Sequence, residues 1–226
     1  MQTTDTAIQP DLSVLFAIHH ALAADATALA AAAGDLEPED RAERIPTLQA
    51  FFERYTAQLV AHHTHEDDLF FPALEAKVGS AAMNRPALDA QHEQLGESIE
   101  RVRSALAAIG DDRTDFAAAK ARVRQASHDL EQRITTHLEL EERIAIPLYL
   151  QNISPAEHAP LELQAQASGT FEGLQFMVPW LFDRLPAAVR DRALGASPEI
   201  FAVVYADQVP TYRTYTQALS LRSGHQ

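Results

Sequence analysis

Two segments of the chain place a histidine, a glutamate and a proline at the same spacing, His-x3-Glu-x5-Pro. Chance would give roughly 0.04 matches to this pattern in a chain of this composition. Residues four apart on a helix lie about 40° apart around its axis and about 6 Å apart along it, so each His–Glu pair projects from one helix face. The two copies are His62, Glu66 and Pro72, and His137, Glu141 and Pro147.

Two further histidines repeat in a similar way. His19 and His92 each precede a leucine by three residues, and they are separated by 73 residues. The separation between His62 and His137 is 75 residues. A helix pair used twice would produce both offsets, and it would make the first helix parallel to the third and the second parallel to the fourth.

These side chains share their predicted helix faces with apolar residues, namely Phe52, Leu59, Leu130 and Ile134. Burying two ionised glutamates in such a core costs several kcal/mol per charge without compensation. One buried histidine beside a glutamate is more often a hydrogen-bonded pair, but four histidines and two glutamates at matched heights favour metal. A nitrogen and oxygen donor set without sulfur suits iron, manganese or zinc, and carboxylates can bridge two ions.

The elements that must position these residues are helices. Amphipathic periodicity predicts helices over about residues 10–33, 45–79, 82–109 and 114–150. The fold class is therefore all-α, an up-down-up-down four-helix bundle. Pro72 and Pro147 remove one backbone hydrogen bond each, which predicts a kink or a loosened turn unless they only mark the end of the bundle.

The break at residues 152–160 divides the chain into a predicted bundle, residues 1–152, and a helical C-terminal extension, residues 153–226. The segment 171–182 is apolar and aromatic nearly all round, and a last helix is expected over 198–221 with an interruption near Pro210. The extension would cover the core, roof a pocket at one end of the bundle, or form a homodimer or partner interface.

Composition excludes several functions. The chain has 226 residues, no cysteine and a formal charge of −14, so disulfides, thiolate metal sites and a cysteine nucleophile are ruled out. The acidity argues against nucleic acid and anionic membranes as partners. The first 40 residues lack Lys and Arg, and no uncharged apolar stretch approaches the ~20 residues of a membrane span. A cytoplasmic location is the expectation.

The motif set resembles the hemerythrin-like, or HHE cation-binding, family in its bacterial branch, over about residues 10–150. The residues that carry the resemblance are His19, His62-x3-Glu66 with LFFP, Gln91-His92, and His137-x3-Glu141 with its proline. It implies a non-haem site for two iron ions, with manganese or zinc as substitutes. His19, His62, His92 and His137 would be terminal ligands, and Glu66 and Glu141 would be bridging carboxylates.

The chain departs from the oxygen-carrying hemerythrins in two places. Those proteins have a His-x3-His pair on the third helix, whereas Leu88 and Gly96 stand four residues either side of His92 here. They also end with His-x4-Asp, where this chain has His-x3-Glu. A missing ligand leaves an iron more open to water, peroxide or nitric oxide, which argues against simple reversible oxygen carriage.

Other polar residues near the pattern have open roles. His19 is preferred to His20 because His20 lies about 100° further round the helix. His63 and His65 flank the His62–Glu66 face, as substitute or supporting ligands or as ordinary interfacial residues, and Tyr55 could hydrogen-bond or ligate the metal. Solvent-facing positions are expected for Asp67, Asp68, His128 and Glu142, with a supporting role at the site as the alternative for Glu142; His158 and His225 fall outside the bundle.

Three functions follow from the resemblance. The leading hypothesis is a di-iron protein that binds or reacts with dioxygen, peroxide or nitric oxide, with Phe16, Phe52, Leu95 and Ile134 as the apolar lining of the site. The second is an oxidase or oxygenase for an organic substrate held under the C-terminal helices. The third is iron storage or sensing without turnover. The sequence leaves open whether the protein is an enzyme.

Overall fold

The computed structural model of the protein describes residues 9–221, and every regular element in that range is a helix. The elements of the predicted bundle are α1 (Ser13–Gly34), a 3-10 turn (Pro38–Arg41), α2 (Arg44–His65), α3 (Phe71–Val78), α4 (Arg85–Gly110), α5 (Phe116–Leu140) and α6 (Ile146–Asn152). They are followed by α7 (Pro155–Ser168), α8 (Phe171–Phe182), α9 (Ala187–Ala196) and α10 (Glu199–Leu219).

Side-chain contacts fix the directions of the long helices. Tyr55 of α2 donates a hydrogen bond to the carbonyl of Leu22 in α1, near the middle of both helices. The start of α2 lies at the end of α1, where Arg44 pairs with Asp35. Pairs with the same antiparallel order join α2 to α4 (Gln49 to Leu106, Glu53 to Arg103), α4 to α5 (Gln91 to His137, Gln94 to Arg133) and α5 to α1 (Lys120 to Glu37, Glu142 to His19). The predicted up-down-up-down bundle is confirmed.

The two prolines coincide with loosened turns. Residues Glu66–Phe70 and Glu141–Ala145 form π-helical turns that run directly into α3 and α6. In each turn the backbone N–H before the proline donates to the glutamate carbonyl five residues back, from Phe71 to Glu66 and from Ile146 to Glu141. Proline has no N–H to complete the α pattern. The predicted loosening is confirmed, and it falls directly after the two pattern glutamates.

The predicted apolar stripes form a buried core that includes Phe52, Leu59, Leu95 and Ile134. Phe16 is an exception, since 43% of its surface is exposed. Residues three apart on a helix are about 60° out of line. Phe16 therefore turns outward one turn before His19, and the prediction that it lines the site is wrong.

The C-terminal helices share the core of the bundle. Phe176 of α8 and Tyr215 of α10 both lie against Phe51 of α2, with ring centroids 6.1 Å apart in each case. The buried Asp25 of α1 accepts a hydrogen bond from Trp180 Nε1 at 2.7 Å and pairs with Arg184. The structure thus places α8 and α10 on α1 and α2 as a cover.

Two expectations about individual helices change. The predicted interruption near Pro210 is wrong, because α10 continues through it. Pro210 is exposed, so water can satisfy the carbonyl that loses its partner. By length and composition α1 would pass as a membrane-spanning helix. Its buried His19 and Asp25 instead contact other helices of this chain, as in a core helix.

Candidate metal centre

The structure brings all six residues of the pattern together in the bundle interior. Ligand atoms of His19, His62, Glu66 and Glu141 lie within 4.8 Å of one another. A second group, also within 4.8 Å, contains His92 and His137 with the same Glu66. One helix pair supplies His19 and His62, and the other supplies His92 and His137. Glu66 belongs to both groups, so the two groups form one continuous cluster.

His63 completes the second group. It is 8% exposed, and its ring stacks on that of His92 with centroids 4.1 Å apart. The repeat offers no hint of this role, since the offset of 75 residues places Leu138 at the matching position. The doublet His62-His63 is the only signal in the sequence, and it left the role of His63 open. The centre therefore has five imidazoles and two carboxylates.

The donor atoms of these seven residues point at one another without hydrogen bonds. The Nε2 atoms of His19, His62, His63, His92 and His137 and the Oε2 atoms of Glu66 and Glu141 are buried without a hydrogen-bond partner. His–Glu separations run from 3.1 Å, between His62 Nε2 and Glu66 Oε1, to 3.6 Å. Buried polar atoms without partners are costly, so this convergence fits a cation held by nitrogen and oxygen donors.

The outward-facing nitrogens of three histidines are held by neighbours. Glu142 Oε1 lies 3.0 Å from His19 Nδ1, and Asp67 Oδ2 lies 3.0 Å from His92 Nδ1. Gln91 Oε1 lies 3.2 Å from His137 Nδ1. A proton on Nδ1 leaves the lone pair of Nε2 free for a metal and fixes the ring orientation. The prediction that Asp67 only faces solvent is wrong, and the alternative role of Glu142 is confirmed.

Burial shifts the pKa of the cluster residues in the direction that metal binding requires for histidine. Desolvation lowers the pKa of His137 to about 3 and that of His63 to about 2, with neighbouring imidazoles adding to the effect. It lowers the pKa of His19 and His62 as well. These rings are therefore neutral at physiological pH and ready to donate a lone pair.

The two glutamates behave in the opposite way. Desolvation raises the pKa of Glu66 well above its ordinary value, and the neighbouring Glu141 raises it further. Desolvation raises the pKa of Glu141 to about 8. Without a cation, two adjacent buried carboxylates resist ionisation. A divalent ion between them would remove that penalty.

The remaining candidates lie away from the cluster. His20 and His128 are exposed, as expected. His65 Nε2 contacts Ser168 Oγ at 2.7 Å, and the Tyr55 hydroxyl is bonded to the Leu22 carbonyl. His158 is buried against the Tyr149 hydroxyl in a separate cluster. His225 lies outside the described residues.

The comparisons with known proteins agree with this geometry. No curated protein and no solved structure matches the chain significantly. The family model of the hemerythrin HHE cation binding domain matches residues 11–149, which is more than half of the chain and contains every residue of the cluster. The chain therefore belongs to the hemerythrin HHE cation-binding family.

Proposed function

We propose that the cluster holds two iron ions and that the protein binds or reacts with a small oxidant: dioxygen, peroxide or nitric oxide. The observation that carries the proposal is the convergence of seven buried donor atoms without hydrogen bonds. They form two groups that share Glu66, which matches two ions joined by a carboxylate. Manganese and zinc accept the same donors, so they are the expected substitutes.

Each residue then has a role. His19 and His62 would bind the first ion, and His63, His92 and His137 would bind the second. Glu66 and Glu141 would bridge the ions and balance their charge. Reduced iron would supply electrons to the oxidant. Glu142, Asp67 and Gln91 would orient the rings through Nδ1, and the buried Phe52, Leu95 and Ile134 would limit the access of water.

The two proposed ions differ in their imidazole count. The first group has two histidines and the second has three, because His63 restores the imidazole that the third helix lacks. An ion with fewer protein ligands keeps a position open to an exogenous molecule. We therefore place the oxidant at the His19–His62 group. The open ligand position that the sequence assigned to the third-helix side is filled by His63.

The C-terminal helices favour this function over an organic-substrate oxygenase. The cleft of about 310 Å³ beside them is lined by Asp25, Ala28, Asp183, Arg184, Tyr212, Thr216, Leu219 and Ser220. None of these residues belongs to the seven-residue cluster. Phe176 and Trp180 are used in the core, where they cover the bundle. An organic molecule in that cleft would therefore not touch the proposed ions.

The test is a titration of iron-loaded, chemically reduced protein with dioxygen, hydrogen peroxide or nitric oxide, followed by absorption spectroscopy. The proposal predicts that at least one of the three produces a new visible band within the mixing time. Iron that stays bound and colourless with all three oxidants would point to storage, and it would overturn the oxidant proposal. His20→Ala, which alters an exposed histidine beside the cluster, is the matched control and should keep the response.

A further inference from the structure

A polar cleft of about 380 Å³ lies between α4 and α5, on the outside of the bundle next to the metal centre. Thr136 lines it and is the chain neighbour of the buried His137. Gln91 also lines it, and the same side chain holds His137 Nδ1. The full lining is Gln91, Gln94, Asp129, Gln132, Arg133 and Thr136.

Hydrogen bonds orient two of the glutamine amides. Arg133 Nη1 donates to Gln94 Oε1 at 2.5 Å, and because arginine only donates, the Gln94 amino group is the end that remains. His137 occupies Gln91 Oε1, which leaves the Gln91 amino group in the same way. This second orientation rests on the proposed function, because a metal on Nε2 requires the proton on Nδ1.

The cleft therefore presents mainly hydrogen-bond donors. They are the amino groups of Gln91 and Gln94 and the remaining N–H groups of Arg133. The carboxylate of Asp129 also lines the cleft, but its Oδ1 accepts from Gln125 Nε2 at 2.8 Å. One guanidinium with two amide donors suits the two oxygens of a carboxylate, because charge-assisted bonds from arginine are strong and directional.

We propose that this cleft binds a small carboxylate anion and that Gln91 couples the anion to the metal centre. The anion would accept hydrogen bonds from Arg133, Gln94 and Gln91. Accepting from the Gln91 amino group polarises the amide, which strengthens its oxygen as the acceptor for His137. A bound carboxylate would thereby make His137 a stronger donor to its ion, so the cleft is an effector site for the centre.

The experiment is an acetate titration of the zinc-loaded, isotope-labelled full chain by NMR. The side-chain amide signals of Gln91 and Gln94 and the Nε–H signal of Arg133 are expected to shift and saturate with a dissociation constant on the order of millimolar. Arg133→Met should weaken acetate binding about tenfold or more, because it removes the charged donor. Arg124→Met, an exposed arginine on the same helix outside the lining, is the matched control and should bind acetate like the parent chain.

A second variant separates the cleft from the metal contact. Gln91→Glu keeps an acceptor oxygen for His137 and replaces the amide donor with a negative charge, so it should abolish the acetate shift. The proposal is overturned if acetate leaves the signals of Gln94 and Arg133 unmoved, or if Arg124→Met weakens binding as much as Arg133→Met. Zinc content of the same samples tests the metal centre separately, since Gln94 and Arg133 report on acetate whether or not zinc is held.

Discussion

The imidazole rings of His63 and His92 stack with centroids 4.1 Å apart and planes 15° apart. His92 has a counterpart in the first half of the repeat, His19, whereas the position that matches His63 carries Leu138. The repeat that created two similar helix pairs has therefore become asymmetric at one residue. That asymmetry is the basis for treating the two proposed ions as different.

Replacing His63 with leucine restores the symmetry of the repeat and tests that asymmetry. His63→Leu should lower bound iron from about two ions per chain towards one, because the second group loses one of its three imidazoles. Metal analysis after anaerobic loading measures the change. His128→Ala removes an exposed histidine and should retain the full amount. Full retention by His63→Leu would remove His63 from the ligand set.

Asp67 and Asp68 are neighbours in the chain, but only Asp67 holds a cluster histidine. Asp67→Asn should lower metal affinity about 10–100-fold, since carboxylates that hold a ligand histidine usually contribute that much. Asp68 is exposed, so Asp68→Asn is the matched control for the loss of one negative charge. Competition against a chelator of known affinity measures both. Equal losses would mean that only general charge matters.

Metal binding should depend on pH through the glutamates. Burial raises the pKa of Glu141 to about 8 and raises that of Glu66 as well, so both hold protons at pH 7 in the metal-free chain. A metal must displace those protons, and apparent affinity should rise about tenfold per pH unit for each proton displaced, levelling off above about pH 8. The histidines, already neutral, release none: the pKa of His137, for example, is about 3.

Calorimetry with zinc in two buffers of different ionisation heat counts the protons released. Glu141→Gln should lower the count by about one at pH 7, because the variant has no proton to lose at that position. Glu142→Gln changes the exposed neighbour and should leave the count nearly as it is. Affinity that is flat between pH 6 and pH 8 would contradict the proposed protonation of the two buried glutamates.

The pairing of Arg184 with Asp25 should matter for stability. Arg184→Met leaves a carboxylate that is 3% exposed without its cation, and losing one partner of a buried pair costs about 3–5 kcal/mol. Because Arg184 is itself partly exposed, the loss should lie near 3 kcal/mol, which lowers Tm by roughly 6–12 °C. Thermal unfolding of the metal-loaded chain measures the change.

A double variant distinguishes the lost charge pair from lost packing. Asp25→Asn combined with Arg184→Met keeps an acceptor for Trp180 Nε1 and removes the unpaired charge, so it should recover much of the stability. Arg192→Met, on the neighbouring helix α9, is the control for a partly exposed arginine. No recovery in the double variant would show that packing of the Arg184 side chain dominates.

The sequence predicted the bundle and the convergence of six residues because both depend on helical periodicity. His62 and Glu66 lie on the same face in any α-helix, and the repeat fixed the height of His137 relative to them. The contact of Asp67 with His92 was missed because a helical wheel assumes a regular α-helix. The π turn after His65 rotates Asp67 towards α4, and a regular wheel cannot contain that extra residue.

The pairing of Asp25 with Arg184 could not be predicted for another reason. The two residues are 159 positions apart in the chain, and neither belongs to a repeated motif. Only the packing of α8 against α1 brings them together. The division of the chain at residues 152 and 153 remains a prediction, and the shared core of Phe51 and Phe176 favours folding as one unit.

The iron content of the full chain, measured after anaerobic loading and removal of unbound metal, is the decisive measurement. The two groups that share Glu66 predict about two iron ions per chain. They also predict that His62→Ala and His137→Ala fall well below that value, while His128→Ala stays with the parent. No retained iron in the parent chain, or equal retention in all three variants, would contradict the metal centre.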